Sequence, residues 1–277
     1  MTSSPFPIIA SHECEVVDHR WVNKRYRYLR LRSAANLAVR TRTGQFYQLR
    51  CPSTSTLQPF LLRPMSVYGV QPESGCLEFL YNVTGIGTTA LSTLAVGDSM
   101  EIVGPLGNSF SFDPSFRRIL IVARGVGLAT MAPLLSDASR ASVGITAVMS
   151  ARSPDDLMRD EFLRGASADV HTVFDSDRSS SVDRVEALVR MLILAEQPDM
   201  VYTCGSQRLL LLLQRVLREH PSIGGEVAME QRMACGLGVC LSCIRMFQTS
   251  AGRQFKRVCC EGPVFPIGEI VEEVELG

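Results

Sequence analysis

The chain predicts an antiparallel β barrel, then an α/β domain on a doubly wound parallel sheet, then a small cysteine-rich domain at the C-terminal end. Three observations predict it. Over residues 1–113, short segments alternate large apolar with polar side chains, the period of half-buried strands, and turn residues separate them. Over 114–222, continuous apolar runs alternate with helical patterns, the texture of strands and helices wound around a parallel sheet. Over 223–277 this alternation stops, and five of the nine cysteines crowd into residues 235–260. At about 100–200 residues per domain, 277 residues accommodate two domains and an appendage.

In the first part, Tyr26-Arg27-Tyr28-Leu29-Arg30-Leu31-Arg32 has the alternation of a strand with one wet face. Residues Phe46–Arg50, Leu77–Tyr81 and Ser99–Val103 read as further strands, separated by Thr43-Gly44, Glu73-Ser74-Gly75 and Val96-Gly97-Asp98. Short strands at this spacing predict a closed antiparallel barrel. One helix interrupts it, Thr88–Leu94, opened by Gly85-Ile86-Gly87.

After Asp113-Pro114, Arg118–Ala123 is apolar on consecutive residues, as a strand buried on both faces requires. A turn with Gly125 and Gly127 follows, then a helix over Met131–Ala138. Strands at Gly144–Met149, Asp169–Phe174 and Met200–Thr203 alternate with helices at Asp155–Leu163, Val182–Leu194 and Gln207–Arg218. From about Ile223 the pattern ends.

Composition narrows the function. Lys+Arg and Asp+Glu are both 28, so the chain lacks the basic surplus that binding a phosphate backbone needs, and nucleic acid is not an expected partner. Residues 1–10 lack the charged start and long apolar core of a secretory signal. The greasiest segments, Leu209–Leu213 and Met191–Ala195, fall far short of the roughly 20 residues that span a bilayer. A cytoplasmic chain without membrane contact is the expectation, and in that compartment nine cysteines call for something other than disulfides.

Cys14, Cys51, Cys76 and Cys204 are scattered singly, and the first three read as small buried apolar groups. The other five form Cys235-x4-Cys240-x2-Cys243, fifteen intervening residues, then Cys259-Cys260. That is the spacing of a plant-type [2Fe–2S] site, in which one tight loop supplies three thiolates and a returning segment the last. Zinc also takes four cysteines, but usually as two close pairs. The small residues between Ala234 and Val239 let the backbone wrap a cluster and turn N–H groups toward its sulfurs. In an extended segment, Cys259 and Cys260 leave opposite faces, so only one can reach an iron.

Arg63-Pro64-Met65-Ser66 follows a candidate strand, and Gly85-Ile86-Gly87-Thr88-Thr89 opens the helix of the barrel region. A guanidinium beside free helix-start N–H groups is a pyrophosphate site, and Ser66 is placed to donate to the edge of an isoalloxazine.

On these motifs, with Gly97-Asp98, Gly104-Pro105-Leu106-Gly107-Asn108-Ser109-Phe110, Arg232-Met233-Ala234-Cys235-Gly236 and Val258-Cys259-Cys260-Glu261-Gly262-Pro263-Val264-Phe265, the chain resembles the electron-transfer subunits of heteromeric NAD-linked dihydroorotate dehydrogenases. These belong to the ferredoxin-reductase-like superfamily. The resemblance implies an FAD-binding barrel (1–113), an NAD(P)-binding-like α/β domain (114–222) and a [2Fe–2S] domain (223–277). It implies FAD contacts from Arg63, Pro64, Met65, Ser66, Leu80, Tyr81, Asn82, Gly87 and Thr88. It implies iron ligation by Cys235, Cys240, Cys243 and Cys259, because the family's Val-Cys-x-x-Gly-Pro cysteine falls on Cys259 rather than Cys260. It further implies NAD(H) as electron donor or acceptor, and an FMN-containing catalytic subunit as partner in a heterotetramer.

The nucleotide turn departs from the family pattern. It reads Ala123-Arg124-Gly125-Val126-Gly127, with Arg124 where the family has glycine. Cys204-Gly205-Ser206 stands where Cys-Gly-Pro is common, Asp175-Ser176-Asp177-Arg178 lacks a usual glycine, and Arg152 sits where a 2′-phosphate can be met. His12, His19, His171 and His220 have no partner in a catalytic spacing, so no acid or base for an organic substrate is expected. The reading is therefore an oxidoreductase subunit that moves electrons between a nicotinamide, FAD and a [2Fe–2S] cluster, with substrate chemistry on a partner in pyrimidine biosynthesis. The alternatives are a reductase component feeding an oxygenase, whose clusters usually have a longer last spacing, and a regulatory protein that kept the fold without turnover.

Overall fold

The computed structural model describes residues 9–158, 162–163 and 166–271. Its N-terminal part is an antiparallel sheet of β1 (Ala10–Trp21), β2 (Tyr26–Ser33), β3 (Phe46–Leu49), β4 (Arg63–Ser66), β5 (Gly69–Gln71), β6 (Cys76–Asn82) and β7 (Ser99–Leu106). The hydrogen-bonded order is β4-β3-β7-β1-β2-β6-β5. β4 and β5 are thus opposite edges, although only Val67 and Tyr68 separate them in sequence. The sheet must curl strongly for two residues to bridge its edges. Val67 N–H donates to Gln45 O on one side and Tyr68 N–H to Glu78 O on the other. The edges do not pair with each other, so the expected closed barrel is an open half-barrel. The seam between β4 and β6 is the opening the functional cleft uses.

β1 is central, paired with both β7 and β2, and the alternation reading missed it. Only Cys14 and Val16 of its twelve residues are buried, too sparse an apolar signal among charged neighbours. Arg63–Ser66 is itself a strand rather than the segment after one. The helix α1 (Ile86–Leu91) starts two residues earlier than expected, with Gly85 as its N-cap.

The second part is built on β8 (Arg118–Arg124), β9 (Gly144–Ala151), β10 (Asp169–Phe174), β11 (Met200–Cys204) and β12 (Gly224–Ala228). Its helices are α2 (Gly127–Arg140), α3 (Val182–Glu196) and α4 (Gln207–Arg218). The sheet order is β10-β9-β8-β11-β12, all parallel. The continuous apolar run of β8 has a direct cause. Ile119, Ile121 and Ala123 enter a core with α2, while Leu120 and Val122 enter the opposite core with α3 and α4. Of the helix expected over Asp155–Leu163, Pro154–Asp156 form a 3-10 turn, and residues 159–161 lie outside the described residues. No helix among the described residues is long and apolar enough to cross a membrane.

The strand–helix alternation does not end at Ile223, because β12 is a fifth parallel strand. The cysteine-rich part is equally tied in. After the hairpin β13 (Ile244–Thr249) and β14 (Gly252–Arg257) comes the single helical turn α5 (Val258–Glu261), and β15 (Val264–Pro266) then adds antiparallel to β12. β15 covers the edge that β12 would otherwise expose. One core holds Phe46 and Leu106 of the half-barrel, Leu120 and Val122 of the parallel sheet, and Cys243, Phe247, Cys259 and Phe265 of the tail. Phe247 is fully buried, with its ring centroid 4.3 Å from that of Phe265. Phe247→Ala is expected to remove about 3–5 kcal/mol of stability, the usual loss for a buried phenylalanine, and to lower the urea midpoint followed by far-UV circular dichroism. An unchanged midpoint would contradict this packing.

Candidate functional site

A cleft of about 300 Å³ opens where the three parts meet. From the half-barrel it is lined by Pro64, Met65 and Ser66 of β4 and by Leu80, Tyr81 and Asn82 of β6. From the start of α2 it takes Val126, Ala129 and Thr130, and from the segment leading to the cysteines Met229, Glu230, Gln231 and Met233. Six of the expected FAD residues are therefore brought together along the open seam of the sheet. Strand alternation sorts them: Tyr81 is buried in the half-barrel core with its hydroxyl on His19 Nε2 at 2.8 Å, so its backbone faces the cleft rather than its ring. Leu80 and Asn82 point the other way, and Asn82 Oδ1 is buried without a hydrogen-bond partner. Buried polar atoms are rarely left unpaired, so this acceptor marks a place where a ligand donor fits.

Arg63, Gly87 and Thr88 gather at the end of the same seam. A Cβ on Gly87 would lie 2.5 Å from Arg63 Cζ, so only glycine lets the guanidinium lie across the first turn of α1. The Thr88 hydroxyl accepts from the Thr84 and Gly85 N–H groups at 2.9 and 3.1 Å, holding that turn in shape. Shape, a fixed cation and an unsatisfied acceptor together fit a flavin with a phosphate-bearing tail.

The parallel sheet reverses its winding between β8 and β11, and ligands of such sheets bind beyond the carboxyl ends of the strands at that point. Here the turn after β8 touches the end of β11: a Cβ on Gly127 would lie 2.6 Å from the Cys204 carbonyl. Burial pushes the Cys204 thiol up, leaving it a neutral surface. A second cleft of about 150 Å³ lies here, lined by Arg25, Arg124 and Arg152 among others, and it shares Asn82 and Glu230 with the first. Glu230 was not singled out by sequence reasoning. Its carboxyl is pushed up by desolvation alone, and nothing in its spacing signals a position between two clefts.

Arg124 does not protrude into the turn. Its Nη1 donates to Ser150 Oγ at 2.7 Å and its Nη2 pairs with Asp175 Oδ2 at 2.5 Å. The guanidinium thus ties together the carboxyl ends of β8, β9 and β10.

The cysteines lie in two groups. Cys235 and Cys240 lie toward solvent on the loop, while Cys243 and Cys259 are buried in the shared core, with Cys260 Sγ 3.5 Å from Cys259 Sγ. Hydrogen bonds from Ser242, then from Cys235, hold the exposed Cys240 thiol down to about 6, which favours the thiolate that binds iron. Burial pushes the Cys259 thiol up. Gly236 and Gly238 have φ of +71° and +78°, and a Cβ on Gly238 would lie 2.6 Å from Cys260 Sγ. A loop able to fold this closely, bearing soft thiol donors, fits an iron–sulfur cluster.

The expected extended geometry at Cys259-Cys260 is not found. These residues form the helical turn α5, and Glu261 at its end folds back onto the N-cap residue, its carboxylate accepting from the Arg257 N–H at 2.7 Å and from Arg257 Nε at 3.0 Å. The two sulfurs lie 3.5 Å apart rather than on opposite faces. Burial distinguishes them instead, with Cys259 in the shared core and Cys260 half-buried beside it.

Residues 230–271 match the family described as the iron–sulfur cluster binding domain of dihydroorotate dehydrogenase B. Over 239 residues the chain is 32% identical to the dihydroorotate dehydrogenase B (NAD(+)) electron transfer subunit of Desulforamulus reducens, covering 86% of this chain and 89% of that one. The chain belongs to the family of dihydroorotate dehydrogenase B electron transfer subunits. The Clostridium acetobutylicum subunit is likewise 32% identical, over 83% of this chain and 86% of the relative. Among solved structures, an NADH-dependent reduced ferredoxin-NADP oxidoreductase chain superposes with a TM-score of 0.74 at 25% identity, over 93% of this chain and 89% of that one. The ferredoxin reductase of carbazole 1,9a-dioxygenase shares the fold, with a TM-score of 0.62 at 20% identity, over 80% and 70% of the two chains. These likenesses agree with the ferredoxin-reductase-like architecture expected from the motifs.

Within this family fold, the Arg124–Asp175 pair makes a pH-dependent contribution. Hydrogen bonds from Arg124 and then Ser180 hold the Asp175 carboxyl below its ordinary value. A depressed carboxylate stabilises the folded chain above its unfolded value, about 3.9 for aspartate, and the contribution is lost as pH falls through the folded value. Arg124→Ala is therefore expected to lower stability at pH 7 by roughly 0.2–1 kcal/mol, the range for a partly exposed pair. The difference between the two proteins should vanish in acid below the folded value, as read by denaturant titration at both pH values.

Proposed function

We propose that this chain carries electrons between NAD(H) and an FMN-containing dihydroorotate dehydrogenase catalytic subunit through bound FAD and a [2Fe–2S] cluster. The observation that carries the reading is the convergence at one cleft of the β4–β6 seam, the turn after β8 and the segment Met229–Met233 that runs straight into Cys235. FAD, when bound, supplies the exchange between a two-electron hydride and single electrons that a cluster accepts. The protein's part is to hold and orient. Arg63 and the turn at Gly87-Thr88 hold the phosphates, Pro64, Met65, Ser66, Leu80, Tyr81 and Asn82 hold the ring system, and the crevice at Gly125–Gly127 and Cys204-Gly205 receives the nicotinamide nucleotide. Cys235, Cys240, Cys243 and Cys259 hold the cluster, with Cys260 beside it.

A division of labour along residues 1–113, 114–222 and 223–277 follows, although the last part lends both β12 and β15 to the sheet of the second. The cysteine loop also offers a docking face. Val239 is 81% exposed next to the exposed Cys240, and Leu237, Leu241 and Phe255 are exposed as well. Exposed apolar side chains grouped around a redox centre suit a partner that must approach it closely. The proposed assembly is a cytoplasmic heterotetramer with two catalytic subunits.

The deciding experiment is anaerobic titration of the purified chain with NADH, followed in the visible spectrum and by EPR. Bleaching of the flavin band and appearance of a reduced-cluster signal are expected, with no oxidation of dihydroorotate until the catalytic subunit is added. Dihydroorotate oxidation by the chain alone, or an oxidised flavin after excess NADH, would overturn the reading. For the cluster, Cys259→Ser is expected to abolish most of the iron content and Cys260→Ser to leave it nearly unchanged, measured by iron assay and visible absorbance. The reverse pattern would make Cys260 the ligand.

A further inference from the structure

Gln48 lies on β3, where Tyr47 and Leu49 point into the half-barrel core. Alternation sends Phe46 and Gln48 to the outer face, and Phe46 enters the core shared with the cysteine region. Gln48 is completely buried, yet neither its Nε2 nor its Oε1 has a hydrogen-bond partner. A primary amide buried with both ends unpaired is exceptional in a folded protein and marks a missing partner.

Its surroundings show where that partner lies. A Cβ on Gly236 would be 2.5 Å from Gln48 Nε2, 2.9 Å from Cγ and 3.1 Å from Cδ. The amide therefore rests directly on the peptide that follows Cys235, and only a glycine there leaves room for it. Gln48 does not line the cleft assigned to the flavin, which takes its ladder partner Pro64 instead. On the loop itself, the Leu237 N–H already donates to Cys235 Sγ at 3.3 Å, so this sulfur collects hydrogen bonds.

We propose that Gln48 is a positioning residue that sets the reduction potential of the iron–sulfur cluster, its Nε2–H donating to the sulfur shell on the Cys235 side. The proposal rests on the reading of Cys235 as an iron ligand. A hydrogen bond to a ligating or bridging sulfur withdraws electron density and favours the reduced state, so the donor raises the potential. The donor comes from the half-barrel rather than the cysteine loop, so the potential is coupled to the seating of one part on the other.

The test uses the full chain with its cofactors. Gln48→Leu keeps much of the volume and removes the donor, and Gln48→His restores an N–H. EPR-monitored redox titration is expected to show the cluster harder to reduce in Gln48→Leu by up to tenfold in the reduction equilibrium, which is about 59 mV for a one-electron couple. Iron content and the flavin potential should stay unchanged, and Gln48→His should recover most of the shift. An unchanged cluster potential at full iron content overturns the proposal. A second measurement does not depend on the variants folding. Parent protein labelled selectively with 15N-glutamine should show a 15N hyperfine coupling to the reduced cluster, and its absence also overturns the proposal. Cys235→Ser separates the two readings: a full cluster retained in it would overturn the ligand assignment and the Gln48 proposal with it, whereas loss of the cluster in Cys235→Ser together with an unchanged potential in Gln48→Leu would overturn the role of Gln48 alone.

Discussion

Electrons pass between cofactors only when the groups that hold them keep fixed separations, and in this chain one apolar core sets those separations. Phe46 and Leu106 come from the half-barrel, Leu120 and Val122 from the parallel sheet, and Phe247, Cys259 and Phe265 from the tail. Interiors packed at crystal-like density do not deform gradually, so three otherwise separable parts move as one where this core joins them. β15 reinforces the joint with main-chain bonds to β12. The cleft and the cysteine loop both sit on the rim of this core, and their geometry is inherited from it.

The contacts expected to meet cofactors share a second feature: close approach is bought by glycine. Gly87 admits the Arg63 guanidinium, Gly127 brings the nucleotide turn against the Cys204 carbonyl, and Gly236 admits the Gln48 amide. In each case a Cβ would displace a polar group rather than an adaptable apolar one. The glycines thus serve the positions of charged and hydrogen-bonding atoms, which tolerate smaller errors than packing alone requires. The open seam of the half-barrel follows the same logic. Because β5 pairs only with Cys76–Glu78, the end of β6 from Phe79 to Asn82 stays open toward β4, and the cleft lies there.

Arg124 shows how a departure from a family pattern is absorbed. Where a glycine would leave the turn bare, the arginine is drawn aside by Asp175 and Ser150, and Gly125 N–H still bonds Ser150 O at 3.1 Å. The arginine's charge is met by Asp175, so the rim of the crevice carries an ion pair rather than a free cation at this position. Arg25 and Arg152 remain on the same cleft to meet phosphate charge.

Much of this protein was legible in the sequence by itself because the relevant signals are local. The spacing Cys235-x4-Cys240-x2-Cys243, with Cys259 following fifteen residues later, matches an iron–sulfur motif that can be recognised from the linear sequence, and α4 was read with its observed bounds because its buried residues recur at helical spacing. Other features depended on partners far along the chain. β1 carries few buried residues and becomes a strand because β2 and β7 flank it. β12 joins the sheet because β11 and β15 offer it two ladders. Whether Cys259 and Cys260 diverge or sit together was decided by the helical turn α5, and Glu230 and Gln48 acquire their places only when segments well over a hundred residues apart are packed together. Local chemistry can be read from neighbours in sequence. Which buried polar atom faces which cofactor loop is set by tertiary packing, because burial and approach distance are properties of the assembled core rather than of any one segment.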